Sequence, residues 1–217
     1  MSTAPSPPTM RVKSHWFKPG AQKSHAEQAS AMAFIVWRVA QQTLKRMRGA
    51  DFEIDAGAPY FAFLREVLVF LVALTDRIAA ARLTDAERAE FTTAFVHHLA
   101  RTLQDNEDEL LGAPAAGEPA HGESFIDLVN EVVQHYAEFG ADPGATRRDA
   151  GFEPDFAFVR YLGHRLEPTL PEKDRHWVVD QVMAAEAPDA IGIVQRAMRD
   201  LYDPSPRRAR RTTMSGD

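Results

Sequence analysis

Two arginines and a histidine are the residues of this sequence best placed to do chemistry. Arg65 and Arg160 each follow a phenylalanine by four residues, which is about one helical turn. A buried guanidinium needs a carboxylate partner or a bound anion. His98 falls on the apolar stripe of its own segment, where a polar group must find a hydrogen bond. These residues predict a ligand or anion site made by Arg65, His98 and Arg160, and structural pairing inside the core is the alternative interpretation.

Templates for a metal site or a catalytic site are not found in the sequence. The chain has no cysteine, which excludes thiolate ligands, thiol nucleophiles and disulfides. Asp127, Glu131, His135 and Glu138 share one face of a segment whose opposite face is apolar, so we expect them to face solvent. No phosphate-binding glycine loop, nucleophile elbow or His-Glu-x-x-His motif is present. We therefore predict no metal and no cofactor, and the sequence favours a protein that is not an enzyme.

The segment that must hold the central residues in place covers residues 59–83. Its middle, residues 67–74, is apolar on every side, and charged residues precede and follow this run. A helix that is apolar all round is enclosed by other helices or by lipid. Because the charges interrupt the run well short of about 18 residues, the pattern predicts the central helix of a soluble bundle, with no membrane span.

The remaining segments follow the period of an amphipathic helix, and none alternates for long enough to make a strand. Ser24 with Glu27 and Thr84 with Glu87 are capping boxes, and Ser124 is a candidate N-cap. The sequence therefore predicts an all-α protein, a single-domain bundle of six to seven helices. The expected helices cover residues 25–48, 59–83, 85–110, 124–139, 154–166, 171–187 and 188–202.

Two stretches of the chain resemble each other. Residues 59–65 and 154–160 agree at five of seven positions, and each stretch opens a helix. This match predicts two pseudo-symmetric three-helix units, in halves 25–111 and 123–203, that place Arg65 and Arg160 in equivalent positions near the centre. The alternative is that both stretches share a common way of starting a buried helix.

Charge is distributed unevenly along the 217 residues. The net charge is −6, but residues 1–24 carry +4 and residues 204–217 carry +3, which leaves −13 for residues 25–203. We expect a flexible basic N-terminal arm, a helical domain over 25–203 and a disordered basic tail. An acidic domain disfavours nucleic acid as a partner except through the tail. No signal-peptide run is present, and arginine and alanine are abundant, so we expect a cytoplasmic, bacterial protein.

These observations favour function by binding. The leading hypothesis is a non-catalytic helical accessory, adaptor or assembly protein that contacts a protein partner or a second copy of itself. The alternative is a sensor or carrier of a small molecule or anion, with its ligand among the central helices. A core pocket lined by the two arginines and His98 would favour the alternative, and a continuous exposed apolar patch would favour the leading hypothesis.

Overall fold

The computed structural model describes residues 24–140 and 152–203, and within these ranges the chain is helical with no strand. The prediction of an all-α single-domain bundle is confirmed. The N-terminal arm, apart from Ser24, and the basic tail predicted from the sequence lie outside the described residues. The helices are α1 (His25–Gly49), α2 (Ala58–Ala80), α3 (Asp85–Leu111), α4 (His121–Glu138), α5 (Phe156–Leu166), α6 (Glu172–Gln181) and α7 (Ala187–Tyr202).

Helix α2 is the centre of the bundle. Every residue from 67 to 76 is buried, and α1, α3, α4, α5 and α7 all pack against this helix. The run that is apolar on every side predicted this position, because each face of the helix meets another helix. By length and composition alone α2 could also cross a membrane, and 67% of its apolar window is buried inside the fold.

Local hydrogen bonds fix where the helices begin. The Ser24 side chain accepts the N–H of Glu27, and the Glu27 carboxylate accepts the N–H of Ser24, as the capping box predicted. Thr84 and Glu87 form the same arrangement at the start of α3. Helix α4 begins at His121, earlier than predicted, and Ser124 lies inside it; the Glu123 carboxylate accepts the N–H of Ala120, the residue before the helix.

The buried residues of α3 recur every four positions, and the last of them is charged. Phe91, Phe95, Leu99, Leu103 and Glu107 are buried. Leu110 is 67% exposed, and Glu107 instead continues the buried stripe one turn after Leu103. The inner end of α3 therefore carries a carboxylate that requires a partner.

Helices α6 and α7 form one continuous rod. We expected two helices with a break at Ala187–Pro188, but a π-helical segment, Val182–Glu186, connects them without interruption. Pro188 has no N–H to donate to the carbonyl of residue 184, and the wider π turn lies immediately before it. Counted as continuous rods, the described helices number six.

The matched stretches do not occupy equivalent environments. Helices α2 and α5 pack against each other. However, Phe61 is buried whereas Phe156 is 67% exposed, because Phe156 is the first residue of α5 and Phe61 lies a turn into α2. Arg160 is exposed on the same outer face. The prediction of equivalent central positions for Arg65 and Arg160 is therefore wrong.

Candidate functional site

Arg65 is held in an ion pair inside the bundle. Its guanidinium donates to both carboxylate oxygens of Glu107, at 2.9 and 2.6 Å, and to the backbone carbonyl of His121 at 3.1 Å. Glu107 is only 2% exposed. A bidentate pair of this kind accounts for the arginine without a bound anion. The pair ties α2 to α3 and to the start of α4.

His121 completes this cluster and was not identified from the sequence. Its Nδ1 lies 3.4 Å from Glu107 Oε2, and its Nε2 lies 3.2 Å from the carbonyl oxygen of Gly112. The sequence signal for this cluster is Glu107, because it lies four residues after Leu103 on the apolar stripe of the same helix. A charged residue at that position indicates a cationic partner across the core.

The inward-facing arginine of α5 is Arg165, not Arg160. Arg165 donates to both carboxylate oxygens of Glu66, at 2.8 and 2.6 Å. Burial raises the pKa of Glu66, and the hydrogen bonds from Arg165 oppose this shift. The same hydrogen bonds raise the pKa of Arg165.

The three residues predicted to form one site are separated in the fold. Arg160 is exposed, and its guanidinium lies 5.9 Å from the ring centroid of Phe156. His98 is half-buried on α3, and Arg65 is paired with Glu107. Among the described residues, no hydrogen bond or ion pair joins any two of them. An anion-binding role for any one of them stays a prediction.

The acidic residues of α4 face outward, as expected, and Asp127, Glu131, His135 and Glu138 are all exposed. Within residues 24–140 and 152–203, no group of three histidines or acids is arranged to hold a metal ion. The buried Asp76 is satisfied by Arg88 and by the Thr92 hydroxyl at 2.8 Å. These carboxylates therefore have structural or solvent partners.

The best candidate site is an open cleft of about 780 Å³ between the second half of α1 and the π-helical segment. Three cations and three glutamines dominate its wall, and one carboxylate lies at its base. We call it the α1–π cleft. It is lined by Arg38, Gln41, Gln42, Lys45, Arg46, Gly49, Ala50, Gln181, Ala185 and Glu186.

Glu186 anchors the base of the α1–π cleft. It is 2% exposed, and its Oε1 accepts a hydrogen bond of 3.0 Å from the Gln181 side chain. Arg46 Nε lies 3.2 Å from Oε2 and Arg46 also pairs with Asp189, but Oε2 accepts no hydrogen bond of good geometry from residues 24–140 or 152–203. The π-helical segment thus places a buried, incompletely satisfied carboxylate beside a cation, and π segments often occur at functional sites.

The outer part of the cleft is cationic. Arg38 and Lys45 are exposed on α1, and no carboxylate among the described residues forms a salt bridge with either. Phe34, one turn before Arg38, is 63% exposed, and the Arg38 guanidinium lies 5.8 Å from its ring centroid. An aromatic ring and unpaired cations on one helix face form a surface that can bind anionic and apolar groups.

Comparison with known proteins assigns no family to the chain. No protein-family model, no curated protein and no solved structure matches it.

The α1–π cleft was not predicted from the sequence, although the sequence contains one signal for it. Buried residues recur every four positions along the rod of α6 and α7, at Val182, Glu186, Ala190 and Val194. The second of them is a carboxylate.

Tyr202 provides a pH-dependent test of the packing at the end of α7. Its ring packs edge-on against Phe91, its hydroxyl has no hydrogen-bond partner among the described residues, and burial raises its pKa from 10.0 to about 12. The folded protein therefore holds this proton more tightly than the unfolded chain. The stabilisation is fully present below pH 10 and is lost as the pH rises through about 12.

We expect Tyr202→Phe to remove this loss. Between pH 10 and pH 12 the unfolding free energy should fall less in the variant than in the parent, by about 1–2 kcal/mol. Two pKa units correspond to about 2.7 kcal/mol, and partial solvent screening reduces that value. Urea unfolding followed by circular dichroism at each pH measures the difference. Identical pH slopes in the two proteins would show that the hydroxyl is solvated.

Proposed function

We propose that the protein is a non-catalytic helical accessory or adaptor protein and that it contacts its partner through the α1–π cleft. The observation that carries this proposal is the open form of the cleft at a π-helical segment, with polar or charged side chains at seven of its ten lining positions. Its mouth exposes Arg38, Gln42 and Lys45 along α1. An open surface of this kind suits a partner that lies across it.

The state of the buried charges supports a binding role over a catalytic one. A general acid or base needs a titratable group free to reach a substrate. The buried or largely buried carboxylates Glu66, Asp76 and Glu107 each bond an arginine in a bidentate arrangement, and Glu186 is paired with Arg46. Glu66, Asp76 and Glu107 are therefore committed to holding the bundle together, whereas one oxygen of Glu186 accepts no hydrogen bond of good geometry from the described residues.

The alternative function is a sensor or carrier of a small anion. The cleft volume of about 780 Å³ falls within the usual range for ligand sites, and cations line it. Ligand sites normally bury most of the ligand surface, whereas this cleft is open to solvent along α1. The openness therefore favours the adaptor.

Site-specific photocrosslinking tests the proposed function. A benzophenone amino acid replaces Gln42 inside the cleft and, as a matched control, Glu90 on the exposed face of α3, which does not line the cleft. The tagged variants are irradiated in cells that naturally produce the protein. We expect a discrete protein adduct at position 42 that is absent at position 90, and a second copy of the chain counts as a partner.

Two outcomes would contradict the adaptor function. The first is equal adduct formation at both positions or none at either, because the cleft would then hold no protein. The second is a small molecule retained at one copy per chain in native mass spectrometry and lost with substitutions in the cleft. That result would favour the sensor or carrier.

A further inference from the structure

We propose that the α1–π cleft binds an acidic, extended segment of the partner protein. This inference rests on the proposed function and adds the chemical class of the partner. The evidence is the charge of the cleft, its length and the arrangement of its amide side chains.

Charge distinguishes the cleft from the rest of the domain. Residues 25–203 carry −13 overall, yet the cleft wall carries three cations and one carboxylate. Arg46 is held by Glu186 and Asp189, so Arg38 and Lys45 remain to meet charges of a partner. A local cationic surface on an acidic domain attracts acidic groups and repels basic ones.

The length of this surface suits a peptide segment. From Phe34 to Gly49 the helix face extends for about 22 Å at 1.5 Å per residue. An extended chain covers that distance with about six or seven residues at 3.3 Å each. Phe34, exposed at one end, can receive an apolar side chain of the same segment.

The glutamines of the cleft suit the backbone of a bound segment, and its cations suit the acidic side chains of that segment. Gln41 and Gln42 each offer both a donor and an acceptor, which matches the needs of peptide groups, whereas the Gln181 amide already donates to Glu186. Glu186 at the base repels any carboxylate that enters deeply, so the acidic side chains of the segment lie outward, toward Arg38 and Lys45.

Nucleic acid suits the same surface poorly. Tight binding of a phosphate backbone requires many cations, and each phosphate contact adds to the affinity. The cleft wall provides only three, one of which is already paired, within an acidic domain. A peptide with a few carboxylates requires fewer cations and less charge density.

A displayed library of random eight-residue peptides, selected on the full-length protein, tests this inference. The cleft variant is Arg38→Glu with Lys45→Glu. The control variant, Arg101→Glu with Arg199→Glu, changes the net charge equally at two exposed positions of α3 and α7 outside the cleft. Circular dichroism confirms that both variants remain folded, and selected peptides are resynthesised with a fluorescent label for binding assays.

We expect the selected peptides to be enriched in aspartate and glutamate. The cleft variant should bind them at least about tenfold more weakly, and the control variant within about threefold. Raising the salt concentration from about 50 to about 500 mM should weaken binding to the parent protein. In the photocrosslinking assay, the adduct at position 42 should be lost in the cleft variant.

Several outcomes overturn the inference. The first is that the selection gives no peptide, or gives peptides without acidic residues. The second is that the cleft variant and the control variant lose the same amount of peptide affinity. The third is that a single-stranded oligonucleotide or inorganic phosphate displaces the peptide at similar concentration. If the adduct at position 42 forms but survives Arg38→Glu with Lys45→Glu, the adaptor function stands and the acidic segment is rejected. If no adduct forms at all, the proposed function itself fails.

Discussion

Replacing Phe70 with aspartate is expected to leave no folded protein. Phe70 is fully buried in α2, and its ring packs against Tyr136 and Phe158 with centroid distances of 6.0 and 5.5 Å. A carboxylate there would lose its hydration and find no cation. The cost is several kcal/mol, roughly the whole stability of a domain whose unfolding free energy is about 5–15 kcal/mol.

Phe34→Asp is the matched control for this substitution. It introduces the same charge in place of the same ring, but at a position on α1 that is 63% exposed. We expect it to fold and to unfold cooperatively, with a change of no more than about 0.5 kcal/mol. Thermal unfolding followed by circular dichroism separates the two variants. A cooperative transition in Phe70→Asp would show that the core is elsewhere.

The second large effect is expected for Arg65→Met, which should destabilise the protein by about 3–5 kcal/mol. The substitution leaves Glu107, 2% exposed, as a buried charge without its guanidinium, and it frees the His121 carbonyl. Removing one partner of a buried pair costs more than the pair contributes, because the remaining charge stays desolvated. Urea unfolding at neutral pH measures the change.

Arg160→Met is the control, since it makes the same chemical change at an exposed position. We expect an effect within about 0.5 kcal/mol. Adding Glu107→Leu to Arg65→Met should recover much of the lost stability, because an apolar pair can replace a buried ion pair at little cost. Equal effects of Arg65→Met and Arg160→Met would contradict the assigned ion pair.

Both tests address features that differ in how far they could be predicted from sequence. The central position of α2 was predictable because residues 67–74 are apolar on every side, and a helix of this kind must be enclosed. In the structure other helices enclose it. The starts of α1 and α3 were predictable because Ser24 and Thr84 satisfy N–H groups three residues away. Such signals act within a few turns of one helix.

The pairing of charges between helices could not be predicted in this way. The helical period indicates that Glu107 faces inward, but whether Arg65 or another cation meets it depends on how α2 and α3 cross. The same holds on α5, where Arg165 meets a carboxylate and Arg160 faces solvent. The two arginines are five residues apart and nearly on opposite sides of the helix.

The α1–π cleft depends entirely on the tertiary structure. By itself the sequence determined an all-α chain, a central apolar helix and an acidic domain with basic ends, since these follow from composition and local periodicity. Only the packing of α1 beside the π-helical segment brought Arg46 to Glu186, 140 residues away, and left Arg38 and Lys45 facing solvent. Helical periodicity defines which face of each helix is apolar, whereas the contact between distant polar residues is decided by how the helices pack.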